Sequence, residues 1–351
     1  ENDELLFPKR LSLEQCSSEL TAKYKRTICR RDAKSLIDLT GGMGVDTSFL
    51  SDNFDETIYV ESQAELCELA EHNFKVLKKN IKVVNAKAED FLTQCGEVDC
   101  IYLDPARRDE YGRKMVSLHD CSPDVAELQD LLFEKTNTVI VKLSPMLDID
   151  IIKKELKNIK EIHVVAVKNE CKEVLVLCQR TTDNGQQTSC NNQLSAVDLR
   201  ENWIFNFTEE EENEAVVSFA DEIGKYLYEP GVACMKAAPF KLLSQRFNIK
   251  KLHRNSHLYT SDELVTDFPG RIFEVINVVP FDKKAKKMLS QQTTDNRQLT
   301  LSKASIAIRN FPLSAEELRK QLGFKDGDDF YIFGTTMKGE KKVLLHCSRI
   351  G

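Results

Sequence analysis

Asp38-Leu39-Thr40-Gly41-Gly42-Met43-Gly44-Val45-Asp46 decides how this chain is read. The apolar pair Leu36-Ile37 leads into Asp38, and the glycines follow at once. Past Asp38 a second apolar run, Thr57-Ile58-Tyr59-Val60, ends on Glu61. A third, Val98-Asp99-Cys100-Ile101-Tyr102-Leu103, ends on Asp104-Pro105-Ala106-Arg107-Arg108. Strand ends finished by an acid or a Gly-rich turn predict a nucleotide-type pocket at the C-terminal edge of a parallel sheet.

Around that core the pattern alternates. Strands are predicted at 35–40, 57–61, 81–85, 98–104, 138–143, 161–168 and 173–179, with helices at 46–53, 63–78, 88–94, 124–135 and 149–158. Alternation of this kind implies right-handed crossovers and a doubly wound, Rossmann-like α/β sheet. Only Lys168-Asn169-Glu170-Cys171-Lys172-Glu173 separates the last two strands, too few residues for a helix, so the sheet is expected to end in an antiparallel hairpin. Seven strands with a terminal hairpin suit a methyltransferase sheet better than a six-stranded dehydrogenase one. Residues 12–34 read as an amphipathic helix, with Leu13, Cys16, Leu20, Tyr24 and Ile28 on one side.

Beyond 180 the character changes. Residues 181–196 are polar and unpatterned, a linker or long loop, and Glu209 to Glu212 read as a solvated acidic face. Residues 222–262 are partly helical and basic, with no acid between Pro230 and Thr260. From 270 the order strand, helix, strand, helix, strand, strand makes a compact α+β module. The expected organisation is an N-terminal helical segment (1–34), a sheet domain (35–180), a linker and basic helical region (181–269) and an α+β domain (270–351).

The 351 residues are 41% hydrophobic and 30% charged, as in an ordinary folded protein of more than one domain. No apolar run is long enough to span a bilayer, and the acidic start Glu1-Asn2-Asp3-Glu4 does not read as a signal peptide. Eleven cysteines without a Cys-x-x-Cys pair suggest reduced thiols in a cytoplasmic protein. Of six histidines only His253 and His257 fall at helical spacing, with no acidic cluster beside them, so no metal is expected. The net charge of -7 is unevenly spread: residues 181–229 carry -9 and residues 230–351 carry +9. A basic C-terminal part points to a nucleic-acid partner.

The chemistry is read at the strand ends. Gly41, Gly42 and Gly44 let the backbone turn sharply and approach a ligand, and Asp46 can cap the next helix. Acids at 38 and 46 would repel a pyrophosphate but suit a ligand carrying an ammonium and a sulfonium. Glu61 can accept both hydroxyls of a ribose, and the segment 84–90, with Ala88 and Glu89, would lie against an adenine. S-Adenosylmethionine fits this set better than NAD. A Gly-rich loop whose acids only cap helices is the plainer alternative.

Asp104 and Pro105 would face the sulfonium. A carboxylate and a nearby main-chain carbonyl can accept the hydrogens of an exocyclic amine and aim its lone pair at a methyl group. A tight turn with Asp104 as a cap would use the same residues. Gln15, Ser17, Ser18 and Lys25 could fold over the cofactor as a lid or simply cap and line a helix. Lys236, Lys241, Arg246, Lys250, Lys251 and Arg254, interleaved with Phe240, Phe247 and Tyr259, could track a phosphate backbone, with Arg107 or Arg108 adding a phosphate contact. An amphipathic helix with core aromatics is the bland reading.

Residues 35–180 resemble a class I S-adenosylmethionine-dependent methyltransferase. The stretch from Leu36 to Asp46 is similar to the opening motif of a bacterial rRNA guanine-N2 methyltransferase group. Leu103-Asp104-Pro105-Ala106-Arg107 resembles the motif of RNA 5-methyluridine methyltransferases. Those enzymes use a Cys after the fifth strand, where this chain has Lys142-Leu143-Ser144-Pro145-Met146. The chain also departs from the N-P-P-Y amine motif, with Arg107 where an aromatic would stack a flipped base. The whole arrangement resembles a bacterial methyltransferase family with a C-terminal THUMP-like, ferredoxin-like α+β domain. That resemblance implies an RNA substrate (tRNA or rRNA), with guanine N2 as the preferred target. Two other functions remain open on the sequence: a small-molecule or protein methyltransferase, and an RNA-binding protein with a vestigial cofactor site.

Overall fold

The computed structural model describes residues 4–7, 16–29, 33–107, 117–180, 192–290, 303–327 and 330–351. The chain forms two compact units, Glu1–Glu209 and Glu210–Gly351. Among the described residues no helix is long and apolar enough to cross a membrane.

The first unit is built on β1 (Ser35–Asp38), β2 (Glu56–Glu61), β3 (Ile81–Asn85), β4 (Cys100–Leu103), β7 (Thr138–Leu143), β8 (Ile159–Val167) and β9 (Glu170–Gln179), joined by β10 (Gln193–Asp198) and β11 (Trp203–Thr208). They make one sheet in the order β11-β10-β8-β9-β7-β4-β1-β2-β3. From β3 to β7 neighbours run parallel, and β9 inserts antiparallel between β7 and β8. The terminal hairpin is therefore present, but the sheet has nine strands rather than seven. β10 pairs parallel with β8 and β11 antiparallel with β10. β10 lies at the end of the polar stretch read as a linker. Its Leu194, Ala196 and Val197 are buried with Phe205 and Phe207 of β11, and that burial extends the sheet.

The helices α1 (Glu19–Ile28), α2 (Val45–Leu50), α3 (Ala64–Val76), α4 (Ala88–Gln94), α5 (Val125–Lys135) and α6 (Ile149–Glu155) complete this unit. The described part of the predicted 12–34 helix is shorter, starting at Ser18, whose side chain accepts from the Thr21 amide, and ending at Cys29. The short β5 (Ala106–Arg107) and β6 (Cys121–Ser122) pair antiparallel beside the main sheet. The central strands β1 and β4 are buried almost throughout, as strands covered on both faces must be.

The second unit has a seven-stranded sheet. Its strands are β12 (Tyr226–Pro230), β13 (Lys250–Lys251), β14 (Tyr259–Ser261), β15 (Gly270–Pro280), β16 (Ser305–Arg309), β17 (Tyr331–Thr336) and β18 (Lys342–Ile350). The order is β13-β14-β12-β15-β18-β17-β16. One face carries Val279, Ile306, Ile332 and Leu344 under α10 (Ala285–Ser290) and α11 (Ala315–Leu322). The other carries Leu227, Phe273, Phe333 and Leu345. The sheet is curled, because residues 252–256 return to the far end of β17. The Lys338 amide donates to the Leu252 carbonyl at 2.8 Å, and Ser256 Oγ to the Thr336 carbonyl at 2.6 Å.

Candidate active site

The C-terminal ends of β3, β2, β1 and β4 lie side by side, which brings Ala88, Glu61, Asp38, the glycine turn and Asp104 to one edge. The turn is tight because of what lies behind it. A Cβ on Gly41 would stand 2.1 Å from a carbon of the Tyr59 ring, whose hydroxyl donates to the Gly42 carbonyl. Gly44 has φ +74°, and a Cβ there would stand 2.6 Å from the Phe74 ring. Both positions admit only glycine without a shift of the aromatic beneath.

Asp38 is buried and clamps this turn. One carboxylate oxygen accepts from the Thr40 amide at 3.0 Å and the other from Thr47 Oγ1 at 2.5 Å, which ties β1 to the first turn of α2. Burial pushes its pKa up to about 7 against the pull of those two hydrogen bonds, and the charges of Asp46 and Asp104 add to the rise.

Glu61 ends β2 at the rim of the turn. Its Oε2 accepts from the Gly42 amide at 3.0 Å, and Oε1 accepts from the Gln63 amide at 2.9 Å and Ser62 Oγ at 3.1 Å. Oε2, with a single donor, retains acceptor capacity for a hydroxyl, and Oε1 gains it if the Ser62 hydroxyl turns away. The neighbouring strand end is drawn in by Asn85, whose amide donates to the Glu61 carbonyl at 2.8 Å. Ala88 is then buried at the start of α4 and Glu89 half-buried beside it.

Asp104 follows β4. Its amide donates to Thr40 Oγ1 at 2.5 Å, so the glycine turn and the Asp-Pro turn are tied directly. Its carboxylate meets the ammonium of Lys142, near the end of β7. Burial raises the Asp104 pKa, opposed by Lys142. For Lys142 burial works against the charge, but Asp104 and Asp46 outweigh it and the pKa rises. Pro105 is buried. The side chain of Arg107, and Arg108 altogether, lie outside the described residues.

A second charged group lies under the first. Lys25 is wholly buried; its ammonium donates to both oxygens of Glu173 at 2.8 Å and to Ser17 Oγ at 3.0 Å, and stands 3.3 Å from Asp46 Oδ1. Asp46 Oδ2 accepts from Ser17 Oγ and the Tyr102 hydroxyl, both at 2.8 Å, while Oδ1 is buried with no hydrogen bond. Burial raises the Glu173 pKa, opposed by Lys25. The structure thus places Ser17 and Lys25 inside the fold beneath the turn, and Ser18 as the α1 cap. Gln15 lies outside the described residues.

Sequence reasoning passed over Lys142 and Glu173 as chemistry. Lys142 is the single charged residue of the otherwise apolar β7, which is the signal that could have found it, whereas Glu173 follows Glu170 and Lys172 at the start of β9 and is set apart from them only by its burial.

The arrangement can be tested against candidate ligands. The turn offers backbone amides and buried carboxylates, with Asp46 Oδ1 making no hydrogen bond but already facing the Lys25 ammonium at 3.3 Å. A phosphate would face Asp38 and Asp46 with no basic residue between Asp38 and Asp46 to answer it. The residues fit a cationic nucleoside better than a pyrophosphate. Elsewhere His119, Asp124 and Glu127 bring ligand-type atoms within 4.8 Å of one another. Asp124 already caps α5 by accepting from the Glu127 amide, and it holds His119 Nδ1 at 2.9 Å.

In the second unit the basic residues are scattered rather than aligned. Lys236 precedes the end of α8 (Val232–Ala237), and Lys241 and Arg246 lie on α9 (Phe240–Arg246). Lys241 Nζ donates to the Asn213 carbonyl at 2.6 Å, and Arg246 pairs with Glu211 at 2.8 Å. Lys250 and Arg254 are exposed, whereas Lys251 is buried with its ammonium on the Arg254 carbonyl at 3.0 Å.

Comparison with known proteins places these features. Residues 226–269 match a ferredoxin-like domain family and residues 270–349 a THUMP domain-like family. A protein of Porphyromonas gingivalis W83, whose crystal structure carries a provisional methyltransferase assignment, is 36% identical over 99% of this chain and 84% of that one, with a TM-score of 0.87. A provisionally assigned class I S-adenosylmethionine-dependent methyltransferase from Listeria monocytogenes is 11% identical over 53% of this chain and 67% of that one (TM-score 0.39). M. capricolum TrmK, solved with S-adenosyl-homocysteine, is 9% identical over 49% of this chain and 73% of that one (TM-score 0.36). These last two likenesses are too slight to bear on function. No curated protein matches the chain. With its relative at 36% identity over nearly its whole length, its methyltransferase sheet and its matched C-terminal domains, the chain belongs to the class I S-adenosylmethionine-dependent methyltransferase family that carries a C-terminal THUMP-like domain.

Proposed function

We propose that the protein is an S-adenosylmethionine-dependent methyltransferase acting on an exocyclic amine of an RNA base, guanine N2 being the favoured target. The observation that carries this is the position of Asp104, beside Lys142 and tied to Thr40 at the same sheet edge as the glycine turn and Glu61. A THUMP-like module and the +9 charge of residues 230–351 support RNA as the substrate class.

When bound, S-adenosylmethionine would supply an electrophilic methyl group on a sulfonium. Glu61 would hold the ribose hydroxyls, and Asp46, at the start of α2, would lie beside the methionine part. The Asp104 carboxylate and the Pro105 carbonyl would accept the two hydrogens of the target amine, leaving its lone pair free to point at the methyl carbon. Lys142 opposes the burial that raises the Asp104 pKa, and the carboxylate so favoured would be the base beside the proton shed after N-methylation. Arg107, Arg108, Lys236, Lys241, Arg246, Lys250, Lys251 and Arg254 are the proposed RNA contacts.

The test is methyl transfer from labelled S-adenosylmethionine into RNA from cells lacking this protein, followed by mass spectrometry of the nucleosides. Label confined to one nucleoside and absent with Asp104→Ala is expected. Cofactor binding without label in any RNA would move the assignment to a small-molecule or protein substrate.

A further inference from the structure

In the second unit a buried carboxylate gathers cations from distant parts of the sheet. Glu229 is 1% exposed; Arg271 donates to its Oε2 through Nε at 2.8 Å and also through Nη2, and Arg309 donates to Oε1 through Nη2 at 2.6 Å. Along the strands Arg271 begins β15 and Arg309 ends β16, so only the curl of the sheet lets one carboxylate hold both. Nearby, Lys251 Nζ lies 5.1 Å from the centroid of the Phe240 ring, against which the His257 imidazole packs at 3.7 Å.

Three cations and an imidazole thus accompany two carboxylates, Glu229 and Glu212, the latter accepting from the Lys241 and Leu242 amides. A purely structural ion-pair cluster should satisfy its buried polar atoms. Here Arg309 Nε and His257 Nδ1 are both buried and without a hydrogen-bond partner. His257 also sits at φ +50°, a conformation uncommon for a residue with a side chain and often retained at functional positions. An excess of positive charge with two unanswered nitrogens describes a site for an anion, and paired guanidinium groups match the geometry of phosphate oxygens.

We infer that Arg271, Arg309, Lys251 and His257, arrayed about Glu229 and Phe240, form a binding site for a phosphate group of the RNA strand. Glu229 fixes the two guanidinium groups in advance, which lowers the entropic cost of binding. Burial, then the charges of Lys251 and Arg309, lower the His257 pKa to about 4. Burial likewise lowers Lys251 to about 8, with Glu212 opposing. An anion between them would reverse both tendencies.

The inference rests on the RNA reading above, and the experiment separates the two. His257 of the full chain is followed by NMR during titration with inorganic phosphate and, separately, with a short single-stranded RNA. Phosphate should move the His257 ring resonances and raise its pKa, and RNA should do the same. Arg309→Gln should abolish the phosphate response, weaken RNA binding about tenfold and reduce the salt slope by about one. Because Arg309→Gln unbalances Glu229, His257→Asn serves as a second variant. It tolerates the left-handed backbone, should melt as the parent does, and should weaken RNA binding about threefold. If phosphate leaves His257 unmoved and both variants bind RNA like the parent, the site is overturned even if methyl transfer to RNA is observed. If inorganic phosphate moves His257 but RNA does not, the RNA strand is overturned as the phosphate's source, and with it the proposed substrate.

Discussion

The ammonium of Lys142 stands against the carboxylate of Asp104 across the adjacent strands β7 and β4, so the proposed catalytic carboxylate carries its own counter-ion. Burial drives the Asp104 pKa up and Lys142 holds it down. Replacing Lys142 by Met should therefore raise the pKa further and move the acid limb of the pH–rate profile to higher pH. Asp104→Ala should lower kcat at least about a hundredfold at every pH while cofactor affinity holds. A profile that keeps its acid limb in Lys142→Met would show that the pair serves packing alone.

The glycine turn makes a prediction about stability. Tyr59 fills the space where a Gly41 side chain would go, packs edge-to-face on Phe74 at 5.5 Å and donates to the Gly42 carbonyl. Gly41→Ala must displace that ring, at a cost of about 1–3 kcal/mol in unfolding free energy. Chemical denaturation gives that number directly, and calorimetric titration should show S-adenosylmethionine binding lost with it. A variant as stable as the parent would mean the turn is looser than its contacts imply.

Beneath the turn, Lys25 is the only cation within hydrogen-bonding distance of Glu173 among the described residues. Lys25→Met leaves Glu173 and Asp46 buried without their partner, which should cost about 3–5 kcal/mol. Lys25→Met combined with Glu173→Leu removes the largest of those uncompensated charges. The double variant should recover much of the loss, and a thermodynamic cycle over the two sites measures the coupling. Additive effects would show that the pair is not coupled.

The alternation of apolar runs and helical spacing from 35 to 179 carried the doubly wound sheet, because buried parallel strands must be apolar on both faces and their helices on one. β10 and β11 were not legible. They follow a polar stretch, and the pairing of β10 with β8, on which β11 then builds, is a contact that no local pattern announces. The strand-end acids 38, 61 and 104 could be read because each closes an apolar run. The cations could not, since Lys142 is matched to Asp104, and Lys25 to Asp46 and Glu173, by the fold and not by spacing. The same limit applies in the second unit, where a run of basic residues says nothing about which of them Glu229 will collect. Arg271 and Arg309 stand outside that run entirely.

Asp38 links the fold to ligand binding through a proton. Its pKa is about 7 in the folded chain, against about 3.9 for an aspartate in an unfolded one. Between those values the native state holds a proton that the unfolded state has lost. The resulting stabilisation is fully present below about pH 4 and disappears as pH rises through 7, by at most about 1.4 kcal/mol per pH unit. Asp38→Asn should flatten that part of the stability profile. A cationic ligand in the turn favours the ionised carboxylate, so binding of S-adenosylmethionine should expel the proton and tighten as pH rises toward 7 and beyond. Calorimetric titration near pH 6.5 in two buffers of different ionisation enthalpy counts that proton. About half a proton or more should be released by the parent and less by Asp38→Asn, because half of the sites are protonated near the pKa. Identical heats in both buffers for the parent would show that Asp38 is already ionised before the ligand arrives, and that its role is confined to clamping Thr40 and Thr47.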